Sequence, residues 1–223
     1  TIVANNMNEF PGGKGLNQAI ATSRLGQRVS LIGKLGRDAS GLYLYNELCN
    51  SNVDLTGITF TDKVNTGKAY IYVPEDGESS IVIFSGANKM LKPEDIYNNH
   101  LLFEQSTYCL IQSETPIDTL EAVIDLASKN KLTIIFKPSS IDHLDDLFYE
   151  NIDYFIPNRK EAYILYGKDD SIENAANYFF NKGVKNVIIT LSDKGCYLKN
   201  KDKEKFFEAA NLTPVDTTGG ADA

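Results

Sequence analysis

From Tyr108 onward the sequence alternates short apolar runs with longer stretches of helical spacing, a rhythm that few architectures accept. Residues 108–112 read as a strand, and Ile117, Leu120, Ile124 and Ala127 then recur on one helical face. Residues 132–136 form the next apolar run and 154–156 another, which ends in Pro157-Asn158 ahead of a helix reaching Gly167. Ile172, Ala175, Ala176 and Phe179 mark a further helix that stops near Gly183, and residues 187–191 read as a buried strand. Strands separated by helices of this length must be joined by crossovers rather than hairpins. The chain is therefore expected to be α/β, with a doubly wound, mainly parallel sheet.

The first half has two textures. Pro11-Gly12-Gly13-Lys14-Gly15 is a glycine-dense loop running into a helix that presents Leu16, Ala19 and Ile20 on one face, with Gly26 as its stop. Residues 29–32 read as a strand, and Leu42, Tyr45 and Cys49 mark a second amphipathic helix. Residues 66–73 then alternate in the strand manner, 74–78 read as a turn and 80–84 as a β-branched strand. That pattern predicts an antiparallel hairpin, inserted at about residues 57–88, which serves either as a lid over a site or as an edge. No linker or repeat divides the chain, so residues 1–223 are expected to form one domain. Both ends look incomplete, since the first residue is not Met and the last follows directly on a reactive-looking acid.

Composition removes several partner classes. A net charge of -8 offers no basic surplus for nucleic acid or for an anionic membrane surface. Three scattered cysteines and two histidines suggest neither a disulfide framework nor a His-rich metal centre. With no signal sequence or long apolar run in view, a cytoplasmic location is expected.

Chemistry concentrates in loops. Asp216-Thr217-Thr218-Gly219-Gly220-Ala221-Asp222 combines small residues, whose backbone N–H groups can approach an anion, with a carboxylate. It suits phosphoryl transfer, and equally a capped turn before a helix. The Gly12-Gly13-Lys14-Gly15 loop lacks the Ser or Thr and the upstream glycine of a Walker A loop, and reads either as a site or as a tight turn. Glu114 lies just past a strand, where ligand-contacting side chains emerge, but a carboxylate there also suits the next helix dipole. Asn158 and Glu161 are spaced for a capping box or for ordering a hydrated Mg²⁺. The segment from Thr190 to Gly195 could contact a nucleotide or simply turn the chain.

The order of these segments resembles that of the ribokinase-like (PfkB-type) sugar kinases. Gly12-Gly13-Lys14-Gly15-Leu16-Asn17-Gln18-Ala19 is similar to the family's G-G-K-G-x-N-Q-A signature. Thr66-Gly67-Lys68-Ala69 through Ser85-Gly86-Ala87-Asn88 resembles its lid hairpin, and Gln112-Ser113-Glu114-Thr115-Pro116 its Q-x-E-x-P segment. Pro157-Asn158-Arg159-Lys160-Glu161-Ala162 is similar to P-N-x-x-E-A, and Thr190-Leu191 with Gly195 to T-L-G-x-x-G. The terminus is similar to D-T-T-G-A-G-D-A. Two differences stand out: Ser192 takes the place of a glycine, and Gly220-Ala221 reverses the usual Ala-Gly order.

The resemblance implies ATP-dependent phosphorylation of a sugar, D-ribose at O5. Gly12, Gly13, Lys14, Asn17 and Glu114 would contact the sugar. Thr190, Leu191, Ser192, Asp193, Lys194 and Gly195, with Asn158, would lie along the nucleotide, and Asn158 and Glu161 would organise Mg²⁺ through water. Gly219, Gly220 and Ala221 would form an anion hole beside Asp222 as general base, and Asp216 and Thr218 would belong to a monovalent-cation (K⁺) site. The family's first strand and its part beyond the base would be missing from this chain. The lid sheet is a plausible surface for a homodimer. Other members of the family acting on fructose, deoxyribose or a nucleoside, or a non-catalytic sugar-binding relative, are the alternatives.

Overall fold

The computed structural model describes residues 6–72, 80–139, 141–211 and 220. They fall into two compact units, one containing the described residues up to Ala87 together with Gly220, and the other those from Asn88 to residue 211.

In the first unit, helix α1 (Lys14–Arg24) buries Leu16 and Ala19, and α2 (Ala39–Cys49) buries Leu48. Four short strands form two parallel pairs: β1 (Val29–Ser30) with β3 (Val53–Asp54), and β2 (Gly33–Gly36) with β4 (Ile58–Thr61). The sequence pattern at 29–32 predicts one strand, whereas only Val29–Ser30 is strand there and the next strand, β2, begins at Gly33. Glycine at both ends of Gly33–Gly36 hides β2 from local reading, because its strand geometry comes from pairing with Ile58–Thr61.

β5 (Lys68–Tyr72) and β6 (Ser80–Phe84) form the expected antiparallel pair, in register from Lys68 opposite Phe84 to Tyr72 opposite Ser80. The turn expected at 74–78 lies outside the described residues. A polar knot holds the base of the pair. The Asp38 carboxylate caps α2 by accepting from Gly41 N–H at 2.8 Å, and also accepts from the Thr66 backbone N–H at 2.9 Å and its hydroxyl at 2.6 Å. Thr66 Oγ1 in turn accepts from Gly36 N–H at 2.9 Å. These bonds tie α2, β2 and the start of β5 at one buried threonine.

The second unit is built on a six-stranded sheet in the order β12-β11-β10-β9-β8-β7. β7 (Tyr108–Gln112), β8 (Thr133–Lys137), β9 (Tyr154–Phe155) and β10 (Asn186–Thr190) are mutually parallel, and β11 (Cys196–Asn200) and β12 (Glu204–Phe207) continue the sheet antiparallel. The sheet is thus mixed, with a parallel core as expected and an antiparallel edge. Helices α3 (Pro93–Tyr97) and α4 (His100–Glu104) precede it. Crossovers run through α5 (Ile117–Lys129), through α6 (Asp146–Glu150), and through α7 (Arg159–Tyr166) with α8 (Ile172–Asn181). α5 packs on β7 and β8, and α8 on β10 and β11.

The core of this unit is aromatic. Phe155 sits 4.8 Å from Phe179, 5.7 Å from Tyr149 and 5.9 Å from Phe136, measured between ring centroids, and all four rings are buried. Such tilted and edge-on contacts add about 0.5–1.5 kcal/mol per pair beyond simple burial. The cluster fixes β8 and β9 against α6 and α8, and so fixes where the strand ends point.

Candidate active site

Because β7 to β10 are parallel, the segments that follow them all emerge at one edge of the sheet, where open α/β sheets bind ligands. Three of the sequence-marked segments meet this condition or extend from it: Glu114 after β7, Asn158 and Glu161 after β9, and Thr190 to Gly195 at the end of β10. The segment after β8, Pro138-Ser139, shares the same edge and carries no motif in the sequence reading.

Glu114 is half-buried two residues beyond β7. Its Oε1 accepts from the Ser139 hydroxyl at 3.3 Å. The neighbouring Ser113 hydroxyl donates to the Ser139 carbonyl and accepts from the Ser139 N–H, both at 2.6 Å. Ser113 and Ser139 are the residues sequence reasoning misses here. A serine following proline has no periodicity to announce it, and the only signal was its place directly past a strand.

Asn158 caps α7. Its Oδ1 accepts from Glu161 N–H at 2.9 Å, and Glu161 Oε2 accepts from Asn158 N–H at 2.8 Å, which completes a capping box. The local reading of this pair is therefore present in the structure, and it engages the single side-chain oxygen of Asn158 and Oε2 of Glu161. Both side chains offer hard oxygen atoms at the strand-end edge, the donor type that Mg²⁺ takes when it keeps most of its waters. Among the described residues no three His, Cys, Asp or Glu side chains gather into a metal cluster.

The β10 end is joined directly to Asn158. Thr190 and Asn158 form an isolated parallel bridge, with Thr190 N–H donating to the Pro157 carbonyl at 2.9 Å. The chain then turns through a 3₁₀ segment, Ser192–Lys194, closed by Leu191 N–H to the Gly195 carbonyl at 2.8 Å. Ser192 has φ 57°, in the left-handed region where glycine carries no side-chain penalty. Gly195 has φ 94°, and a Cβ there would lie 1.9 Å from the Phe207 carbonyl oxygen and 2.7 Å from Ala209 N. Only glycine lets the end of β12 run that close to this loop.

In the other unit, Gly12 lies in an exposed loop and Gly13 is the N-cap of α1. With φ 108° and ψ 134°, Gly13 occupies backbone space that L side chains rarely adopt, and its carbonyl accepts from Asn17 N–H at 2.9 Å. Lys14 and Asn17 are half-buried within the first two turns of α1. Gly220 is an exposed turn residue, while Asp216, Thr218, Gly219, Ala221 and Asp222 lie outside the described residues.

Residues 1–223 match the pfkB family carbohydrate kinases. The chain belongs to that family. It is 34% identical over 226 residues to a ribokinase of Haemophilus influenzae, covering all of this chain and 74% of the relative. It is 32% identical to a ribokinase of Staphylococcus aureus, covering 96% and 71%, and 32% identical to a deoxyribokinase of Salmonella typhi, covering 95% and 71%. Among solved structures, a Thermotoga maritima ribokinase is 33% identical with a TM-score of 0.88. An Arabidopsis thaliana ribokinase complexed with ribose and ATP is 27% identical with a TM-score of 0.87. Both alignments cover all of this chain and 74% of the other. The fold is ribokinase-like, and the chain is a sugar kinase, a phosphotransferase. Among the described residues no helix is long and apolar enough to cross a membrane.

Proposed function

We propose that the protein phosphorylates D-ribose at O5 with ATP as donor. The observation that carries this reading is the emergence of Glu114, Asn158 and the loop from Thr190 to Gly195 at the same end of the parallel strands β7, β9 and β10 of one mixed sheet. Identity to ribokinases over the whole chain supports the choice of sugar.

In this reading Glu114 accepts hydrogen bonds from sugar hydroxyls, with Gly12, Gly13, Lys14 and Asn17 completing the sugar contacts. The loop from Thr190 to Gly195 runs along the nucleotide. Asn158 and Glu161 hold Mg²⁺ through its waters, and Asp216 and Thr218 take part in holding K⁺. Bound cations would neutralise charge on the phosphates. Asp222 accepts the proton of the O5 hydroxyl as O5 bonds to the γ-phosphorus. The bond from that phosphorus to the bridging oxygen breaks, and ADP leaves. Backbone N–H groups of Gly219, Gly220 and Ala221 stabilise the charge on the transferring group. The β5–β6 hairpin acts as a lid, and its outward apolar side chains offer a surface to a second copy. The partners are a small sugar and ATP, in the cytoplasm, with no role for nucleic acid or membrane.

A 2-deoxyribose kinase is the second reading, favoured by the identity to a deoxyribokinase. A coupled ATP-consumption assay across ribose, deoxyribose, fructose and nucleosides separates the two. Highest kcat/KM on ribose is expected, and a higher value on any other acceptor overturns the sugar assignment. Asp222→Asn is expected to lower kcat by about 10²–10⁴-fold, the usual contribution of a general base, with ribose affinity by calorimetry unchanged. Wild-type turnover in that variant would refute the base.

A further inference from the structure

We propose that Ser139 is a positioning residue for the sugar-binding carboxylate, holding Glu114 in the orientation that D-ribose meets. The inference rests on the reading of Glu114 as a sugar contact. It adds a residue from the segment after a different strand, one that no motif marks in the sequence.

Three hydrogen bonds join the segments after β7 and β8. Ser113 Oγ accepts from Ser139 N–H and donates to Ser139 C=O, each at 2.6 Å. Ser139 Oγ lies 3.3 Å from Glu114 Oε1. The proton assignments follow from valence. The Ser113 hydroxyl hydrogen goes to the Ser139 carbonyl, and an ionised carboxylate can only accept, so the Ser139 hydroxyl hydrogen points at Glu114. Ser113 and Ser139 are 7% and 3% exposed, so water competes little for either hydroxyl.

The arrangement has two layers. Ser113 clamps the backbone of Ser139 on both its polar groups, and the clamped Ser139 directs its side chain at the residue next to Ser113. A bond serving only to join the two strand ends would need no more than the clamp. The third bond ends on a carboxylate with three rotatable bonds, at the edge where ligands bind. Restricting such a side chain before the sugar arrives removes an ordering cost from binding, worth about three- to tenfold in affinity.

The test measures D-ribose binding by calorimetry and steady-state constants for ribose and ATP in the purified enzyme. Ser139→Ala is expected to raise the ribose Kd and KM about three- to tenfold, with kcat within twofold and the ATP KM unchanged. Ser139→Thr, which keeps the hydroxyl, is expected to restore the ribose Kd. Ser113→Ala should shift it in the same direction by less. In a Glu114→Ala background, Ser139→Ala should add nothing, because the group it orients is gone. Should Ser139→Ala fail to fold, Ser139→Cys takes its place, being close in size and a poor donor: a raised Kd supports the role and a wild-type Kd overturns it.

An unchanged ribose Kd in Ser139→Ala overturns the inference, as does full additivity with Glu114→Ala. So does a parallel rise in the ribose and ATP constants with a lowered melting temperature, which marks a purely structural serine. If Glu114→Ala itself leaves ribose binding untouched, the sugar-site reading fails, and the inference falls with it. If Glu114→Ala weakens binding but Ser139→Ala does not, only the positioning role is lost.

Discussion

The β5–β6 hairpin and the β7–β10 sheet use the same β-branched and aromatic side chains, and their environments are opposite. In the sheet, Ile134, Phe136, Phe155, Val187 and Ile189 are all buried. In the hairpin, Ile81, Val82, Ile83 and Phe84 are 57%, 65%, 51% and 46% exposed, and because consecutive strand residues face opposite ways, neither face is covered. The sheet owes its order to the side chains it buries. The hairpin owes its order to its backbone ladder and to the polar knot of Asp38, Thr66 and Gly36 at its base. A two-stranded ribbon is marginal on its own in water, so the knot carries a share of stability that packing carries elsewhere.

Substitutions in the two regions should separate these sources. The largest effect is expected for Phe155→Ala, which removes the ring at the centre of the aromatic cluster and should cost about 3–5 kcal/mol in urea unfolding. A loss under about 1 kcal/mol would mean that the cluster does not hold the strand ends as described.

Asp38→Asn comes next. It replaces an acceptor of three hydrogen bonds by a group that must turn its NH₂ toward a donor, and about 2 kcal/mol is expected. The wild-type carboxyl lies below its usual range. Burial raises it, but hydrogen bonds from the Thr66 hydroxyl and from the Gly41 and Thr66 N–H groups outweigh that effect. A depressed native value stabilises the fold above the unfolded pKa of 3.8, and this contribution is lost as pH falls through the lower native value. Stability should therefore fall more steeply below pH 3.8 in the wild type than in Asp38→Asn. Equal acid limbs in the two proteins would break the assignment of the knot to that carboxylate.

The smallest effect is expected for Ile83→Ser. At concentrations where the chain is monomeric it should change the unfolding free energy by less than about 0.5 kcal/mol, as for an ordinary surface site. A core-sized loss would show that the hairpin, like the sheet, is stabilised by packing.

The same contrast explains what could be read from the sequence. Alternation at 66–72 and 80–84 announces strands whether or not a face is covered, so the hairpin was legible and its exposure was not. The long crossovers after β7 and β9 announced a parallel sheet, and the strand limits differ from the expected ones by about a residue. β2 and β12 were hidden because glycines in one, and in the other the Lys201-Asp202-Lys203 turn before it, give no local pattern, and distant partners supply the strand geometry. In the candidate site, residue types that carry chemistry could be seen: Glu114, Asn158, Glu161, Lys14. Ser139 could not, since its significance lies in a contact with a residue 25 positions earlier.

The bridge between Asn158 and Thr190 has a consequence for variation. The Thr190 N–H to Pro157 C=O bond that sets the spacing between the α7 cap and the 3₁₀ loop belongs to the main chain, so it does not depend on which side chains those loops carry. Exposed positions such as Arg159, Lys160 and Lys194 can be exchanged without altering that spacing. The surface chemistry of the two loops can therefore drift, or be engineered, at these positions while the distance between the loops is inherited unchanged.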